Sequence, residues 1–270
     1  MSHKKIINDA RPLISIITPS YNQGKYLEET IQSVLNQNYS PIEYIIIDGG
    51  STDNSIDIIK KYEKFLSYWV SEPDKGQADA IVKGFNRAKG EIIGYLNSDD
   101  YLMPNCLEVV GTIFSKELNV EFVIGRSLVI DHQSKPKYIW IPPFINYWTM
   151  LMAGCLFHQP ASFWRKRAYD EVGGINPNFS FALDYDLFIK LAKRKHPKVI
   201  NYILAAFREH PQSKTINLQN VCQKESILIQ KANGIDKIPF PVTKIFQKLF
   251  SYYVKILQHL YGKSRAKIIN

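Results

Sequence analysis

The stretch GEIIGYLNSDD, residues 90–100, decides the fold. Ile92–Leu96 is a short apolar run that passes without a break into the acidic turn Asn97-Ser98-Asp99-Asp100. A strand covered on both faces shows no alternation of apolar and polar residues, and such strands belong to parallel sheets. In those sheets the ligand-handling residues gather where the chain leaves the carboxyl ends of the strands. The same pattern occurs twice upstream. Leu13–Thr18 ends at Pro19-Ser20-Tyr21-Asn22, and Ile42–Ile47 runs into Asp48-Gly49-Gly50-Ser51-Thr52-Asp53. Between them, Lys25–Asn36 sets Tyr26, Leu27, Ile31, Val34 and Leu35 at helical spacing. Ser55–Tyr62 reads as a helix, Tyr68–Val70 as a short strand, and Gln77–Ala88 as a helix ending near Gly90.

Beyond the acidic turn the pattern is less regular. Asn105–Phe114 reads as a helix, Glu121–Ile130 as a strand and Pro142-Pro143 as a break. Trp164–Val172 reads as a helix stopped by Gly173-Gly174. Asp184–Lys195 is an amphipathic helix carrying Leu187, Phe188 and Leu191, and Val199–Phe207 is a strand followed by Arg208-Glu209-His210. Strand–helix alternation with short connections predicts an α/β domain with a mostly parallel central sheet and helices on both faces.

With 270 residues, 45% of them hydrophobic, the chain suits one large domain or one and a half. Cys106, Cys155 and Cys222 lie far apart and form no CxxC pair, which argues against a zinc ribbon or disulfide framework and fits a reducing compartment. Met1–Arg11 is polar, so no signal peptide is expected. The longest apolar stretch, Phe144–Phe157, contains Asn146 and falls short of the roughly 20 residues a bilayer span takes.

The net charge of +9 is uneven: Lys237, Lys244, Lys248, Lys255, Lys263, Arg265 and Lys267 close the chain with no Asp or Glu among them. Nucleic-acid recognition needs its basic face on the groove-contacting element, and here the surplus sits in one tail, so nucleic acid is not an expected partner.

Two neighbouring carboxylates such as Asp99 and Asp100 repel each other unless a cation or donor compensates. Mg²⁺ and Mn²⁺ favour oxygen ligands and are often shared with substrate phosphates. The structural alternative is a capped turn into the helix near Pro104-Asn105. In Asp48–Asp53, glycines let a ligand approach the backbone while the carboxylate accepts hydrogen bonds from a base or ribose; a tight turn with an Asp cap reads equally well. Asp184 opens a helix, as a cap or as a general base. His210 matters to a site only if it folds back towards Asp99.

Taken together, ISIITPSYN (14–22), DGGSTDNS (48–55), KGQAD (75–79), GEIIGYLNSDDYLMP (90–104) and GGINPNFSFALDYDLFIKL (173–191) resemble the family 2 glycosyltransferases. The resemblance implies the GT-A, Rossmann-like fold over residues 11–215, with a nucleotide-binding half (11–100) and an acceptor half (101–215). A basic helical extension (216–270) follows. It implies transfer of a sugar from a nucleotide-diphosphate sugar, a UDP-sugar by family tendency, to an acceptor hydroxyl with inversion, in cell-surface polysaccharide or glycolipid synthesis.

Pro19, Tyr21 and Asp48 match positions that bind base and ribose. Asp74, Lys75, Gly76 and Asp79 match the next nucleotide-lining stretch, and Ser98 of the acidic turn is counted with the nucleotide-binding residues. Asp99 and Asp100 match the motif that holds Mn²⁺ or Mg²⁺ on the diphosphate, and His210 matches a histidine that reaches the same corner. Asp184 matches the catalytic base, and His158-Gln159 an acceptor-side segment. Asn97 and Leu183 stand where the family usually has carboxylates. The Gln-x-x-Arg-Trp motif of processive polymerases is absent, which favours a single-addition bacterial-type enzyme. The expected location is the cytoplasm, with a seat on the inner face of the cell membrane. The alternative function is a non-catalytic nucleotide-sugar-binding protein of the same fold.

KIFQKLFSYYVKILQHLY (244–261) spaces Ile245, Phe246, Leu249, Tyr252, Tyr253, Ile256, Leu257 and Leu260 near helical intervals among lysines. Such a helix can lie on an anionic membrane, where it would serve a lipid-linked glycan acceptor, or pack on the domain or a second subunit.

Overall fold

The computed structural model describes residues 11–262. The leaderless reading of the first ten residues, and the tail cations Lys263, Arg265 and Lys267, lie outside the described residues.

β1 (Ile14–Ser20), β2 (Ile42–Asp48), β3 (Tyr68–Ser71) and β4 (Ile92–Tyr95) run parallel in the spatial order β3-β2-β1-β4. Their connections are α1 (Gly24–Leu35), α2 (Ser55–Tyr62) and α3 (Gln77–Arg87). Successive strand residues point to opposite faces. Ile14, Ile16, Tyr44 and Ile46 accordingly pack with Leu27, Ile31 and Val34 of α1. Ile17, Ile45 and Ile47 pack with Ile81 and Phe85 of α3 on the other face. Both faces are buried, which is why the strands read as unbroken apolar runs. α3 sits so close to β1 that a Cβ on Gly84 would come within 2.5 Å of the Ile17 side chain. The register aligns Ser20 with Asp48, and Gly49 N–H donates to the Ser20 carbonyl at 2.8 Å. The loops after β1 and β2 therefore open at one edge.

The rest of the chain extends the sheet in mixed fashion. β5 (Tyr101–Leu102), α4 (Cys106–Lys116), β6 (Phe122–Ile130), β7 (Pro136–Trp140), α5 (Tyr147–Ala153), β8 (Ser162–Arg165), α6 (Lys166–Glu171), α7 (Leu183–Arg194) and β9 (Lys198–Arg208) follow in order. The full order is β3-β2-β1-β4-β8-β6-β9-β5, with β7 beside β6. β8 is antiparallel to both β4 and β6, β6 is parallel to β9, and β5 is antiparallel to β9. Parallel pairing thus dominates only the first half.

One expected element divides: the stretch read as a helix from Trp164 begins as strand β8, and α6 starts at Lys166. Trp164 aligns with Ile93 on one side and Phe122 on the other and is completely buried. Sheet pairing overrides the local helical reading of a short apolar run. α5 lies inside the apolar stretch Phe144–Phe157. Its start is a capping box in which Asn146 Oδ1 accepts from Thr149 N–H at 2.8 Å and Thr149 Oγ1 accepts from Asn146 N–H at 2.9 Å.

After β9 come α8 (Lys214–Asn217), α9 (Gln219–Ala232) and α10 (Phe240–Leu257). Gln247 Nε2 on α10 donates to the Met152 carbonyl of α5 at 2.8 Å. Gln258 exchanges hydrogen bonds with the backbone of Ile141. Among the described residues no helix is long and apolar enough to cross a membrane.

Candidate active site

The loops at the carboxyl ends of β1 and β4, with the segment after β3, open on a cavity of about 870 Å³, a size that suits a small-molecule ligand. Pro19, Tyr21, Asp74, Gly76, Ser98, Asp99, Asp100, His158, Gln159, Asp184 and His210 line it; Asp48, Lys75 and Asp79 do not.

Asp48 is fully buried. Its carboxylate accepts from Gly50 N–H at 3.1 Å, from Ser51 N–H at 2.8 Å and Oγ at 2.5 Å, and from Ser71 Oγ at 2.7 Å. With these donors it holds the turn after β2. Asp79 accepts from Lys75 N–H at 3.2 Å and pairs with Lys83 at 3.3 Å, so it fastens the first turn of α3. Asp74 accepts from Gly76 N–H at 2.7 Å, and Gly76 has φ +108°, a conformation that favours glycine.

The acidic turn is anchored from behind. Asp100 is buried, and its Oδ1 accepts from Arg208 N–H at 2.9 Å. Burial, with Asp99 beside it, pushes the Asp100 carboxyl well above the usual carboxylate range. Arg208 is itself buried. Its Nε donates to the Asp99 carbonyl at 2.7 Å, its Nη1 to Ser134 Oγ at 2.8 Å, and its Nη2 pairs with Glu29. Thr30 Oγ1 donates to the carbonyls of Ser98 and Asp100 at 3.0 and 2.6 Å. Asp99 is thus the turn's outward carboxylate.

His210 does fold back: its Nε2 lies 3.0 Å from Asp99 Oδ2, with the ring tilted against Tyr26. Among the described residues no three His, Cys, Asp or Glu side chains converge as a closed metal site. A spacing of 3.0 Å is that of two adjacent ligands on an octahedron of roughly 2.1 Å radius. The pair therefore fits a divalent ion that takes its other ligands from substrate oxygens and water.

Asp184 occupies the first turn of α7 and lines the same cavity. The segment leading to it is tied down by Glu225 of α9, whose carboxylate accepts from the N–H groups of Ser180, Phe181 and Ala182 at 2.8, 2.9 and 2.7 Å. Burial raises the Asp184 carboxyl to about 6.

His158 stacks on Phe207 at 4.3 Å, with Ser127 Oγ 2.6 Å from its Nδ1; its enclosure lowers its pKa to about 4, so it is neutral near pH 7. Gln159 is buried: its Nε2 donates to the Tyr95 carbonyl at 2.8 Å, while its Oε1 has no partner.

The profile described as "Glycosyl transferase family 2" matches residues 15–173, more than half of the chain. The chain belongs to glycosyl transferase family 2. It is 30% identical over 218 residues to chondroitin synthase from Escherichia coli, covering 77% of this chain and 31% of that protein. It is 35% identical over 153 residues to the putative teichuronic acid biosynthesis glycosyltransferase TuaG of Bacillus subtilis, covering 54% of this chain and 61% of that protein. The chain thus spans about a third of the length of the chondroitin synthase.

Solved structures share the GT-A fold. Staphylococcus aureus TarS 1-349 in complex with UDP-GlcNAc has a TM-score of 0.62 at 17% identity, covering 74% of this chain and 59% of that one. The mannosyltransferase PcManGT from Pyrobaculum calidifontis, in complex with GDP-Man and Mn2+, also has a TM-score of 0.62 at 17% identity, covering 97% of this chain and 79% of that one.

Three side chains of this family 2 chain escaped sequence reading. The role of Arg208 rests on partners about a hundred residues away, and that of Glu225 on backbone about 45 residues away, with no local pattern to mark either. Lys214 follows the last β-strand and reaches Gln77 Oε1 at 2.9 Å inside the cavity. Lys214 lies more than a hundred residues from the acidic turn in sequence, so no local pattern marks it.

Proposed function

We propose that the protein transfers a sugar from a nucleotide-diphosphate sugar, a UDP-sugar by preference, to an acceptor hydroxyl in one displacement that inverts the anomeric carbon. The observation that carries this reading is the cavity itself: an outward Asp99 paired with His210 and a carboxyl of raised pKa on Asp184 share one lining.

In this scheme Tyr21, Pro19 and Asp74 receive the nucleoside end, and Asp99 and His210 would hold Mn²⁺ or Mg²⁺. Such an ion, when bound, neutralises charge on the departing diphosphate. Asp184 takes the proton of the acceptor hydroxyl as that oxygen bonds to the anomeric carbon, and the electron pair of the breaking bond leaves with the diphosphate. No enzyme nucleophile is needed. Asp48, Lys75 and Asp79 keep their place at the nucleotide end by shaping its loops. His158 and Gln159 sit on the acceptor side, where the neutral ring of His158 and the buried amide of Gln159 form the cavity wall. The acceptor is a glycan or a lipid-linked glycan, the addition is single, and the product belongs to cell-surface polysaccharide or glycolipid. We place the enzyme in the cytoplasm, at the inner face of the membrane; the free thiols of Cys106, Cys155 and Cys222 support a reducing compartment.

The pH dependence tests the base. Asp184 acts only when ionised, and its carboxyl is protonated below about 6. The ratio kcat/KM should therefore rise about tenfold per pH unit on the acid side and level off above about 6, since that ratio reports the free enzyme. A rate flat from pH 4.5 to 8 would count against Asp184.

The metal corner has its own test. Asp99→Ala should weaken Mn²⁺-dependent UDP binding by roughly 10–100-fold in calorimetry. An unchanged titration removes Asp99 from that corner.

A further inference from the structure

α10 buries little of itself. Thr243 is its one fully covered residue, Gln247 and Gln258 tie it down, and Leu257 packs beside Leu128, Ile139 and Ile141. A second stripe, Val242, Ile245, Leu249, Tyr252 and Ile256, recurs every three or four residues and stays exposed, Leu249 at 65% and Tyr252 at 67%. Leu260 continues it past the helix end. Soluble surfaces rarely leave a contiguous apolar stripe of this kind without a partner. Lys244, Lys248 and Lys255 fall together on one flank of the stripe by helical spacing.

The helix and the α5 segment it packs on carry no negative charge of their own. No Asp or Glu occurs between Lys135 and Tyr169, or anywhere after Lys237. That first stretch includes α5, against which α10 packs, and contributes Trp148 and Phe144, exposed at 55% and 64%. Just past α5 the chain enters the cavity wall at Cys155, Phe157 and His158. An apolar stripe bordered by lysines, aromatic side chains beside it and no acidic residue on either segment together match the chemistry of an interface-seated amphipathic helix.

We propose that α10 and the aromatic residues beside α5 form a docking face for a bilayer carrying anionic headgroups, seating the cavity's acceptor wall at the membrane to receive a lipid-linked acceptor. The acceptor class rests on the sugar-transfer reading above; the docking face does not.

The test uses the full chain with two kinds of vesicle, phosphatidylcholine alone and phosphatidylcholine with phosphatidylglycerol. The protein should sediment with the anionic vesicles, less so at high salt, and remain in solution with the neutral ones. Replacing Lys244, Lys248 and Lys255 together by Gln should weaken anionic-vesicle binding on the order of a hundredfold. The triple variant Ile245→Ser, Leu249→Ser, Tyr252→Ser should abolish binding, and its unfolding midpoint should not fall because these side chains are exposed. Turnover of nucleotide sugar in solution should be the same in both variants as in the parent, so loss of docking is read separately from loss of sugar transfer. Equal binding to both vesicle types would overturn the proposal. So would a parent that is a dimer by light scattering, fails to bind vesicles and becomes a monomer when the stripe is made polar.

Discussion

Asp184→Asn should lower sugar transfer by roughly 10²–10⁴-fold, the range in which a general base contributes. Asparagine keeps the volume and a hydrogen-bonding oxygen but cannot take the acceptor's proton. UDP binding should stay within about twofold of the parent, because the base acts on the acceptor and not on the nucleotide. The same substitution should stabilise the fold. The Asp184 carboxyl is raised in the folded protein from its ordinary 3.8 to about 6. Its protonated form is therefore favoured by folding, and that advantage is complete below about 4 and lost as pH rises through 6. At pH 8 the ionised side chain opposes folding by about 3 kcal/mol at most, taking 1.36 kcal/mol per pKa unit. The substituted amide carries no charge, so the variant should unfold at higher denaturant than the parent at pH 8, with the gap closing towards pH 4. Near-normal turnover would remove Asp184 as the base, and an unchanged midpoint at both pH values would contradict the raised carboxyl.

Arg208→Ala should be the most damaging change outside the apolar core. The guanidinium is buried and serves the Asp99 carbonyl, Ser134 and Glu29 while lying 4.7 Å from the centre of the Tyr26 ring. Removing it takes the donor from the Asp99 carbonyl and from Ser134 Oγ, behind two carboxylates, while the exposed Glu29 keeps its bonds from Ser134 Oγ. A loss of roughly 1–3 kcal/mol is expected from denaturant unfolding, the cost of leaving buried acceptors unpaired. Arg208→Lys keeps the charge but loses the fork and should fall between the two. If Arg208→Ala unfolds at the parent's midpoint, the arginine is not what holds the acidic turn.

Sequence alone was informative where local chemistry and tertiary structure agree. β1, β2 and β4 are covered on both faces, so their apolar runs announced them, and their polar exits announced the cavity edge. Trp164 misled because a four-residue strand buried between two others has no period of its own. Within the site, Asp99, Asp184 and His210 were legible from spacing and resemblance, and the structure lines one cavity with all three. Asp48 was legible as a residue but not as to where it faces: only the fold reveals that Ser51 and Ser71 consume its oxygens. Arg208, Glu225 and Lys214 act across long sequence separations, which no window along the chain can capture. The C-terminal helix stands between these cases. Its periodicity was plain, yet which of its apolar stripes stays exposed depends on how Gln247 and Gln258 fix its rotation.

The most direct test of single-displacement sugar transfer is proton NMR of the sugar released from UDP-linked α-hexoses incubated with the protein and Mg²⁺. The account predicts that at least one such donor is turned over and that the first product carries the inverted, β anomeric configuration. A first product of retained configuration, or binding of UDP without turnover of any donor, would contradict it.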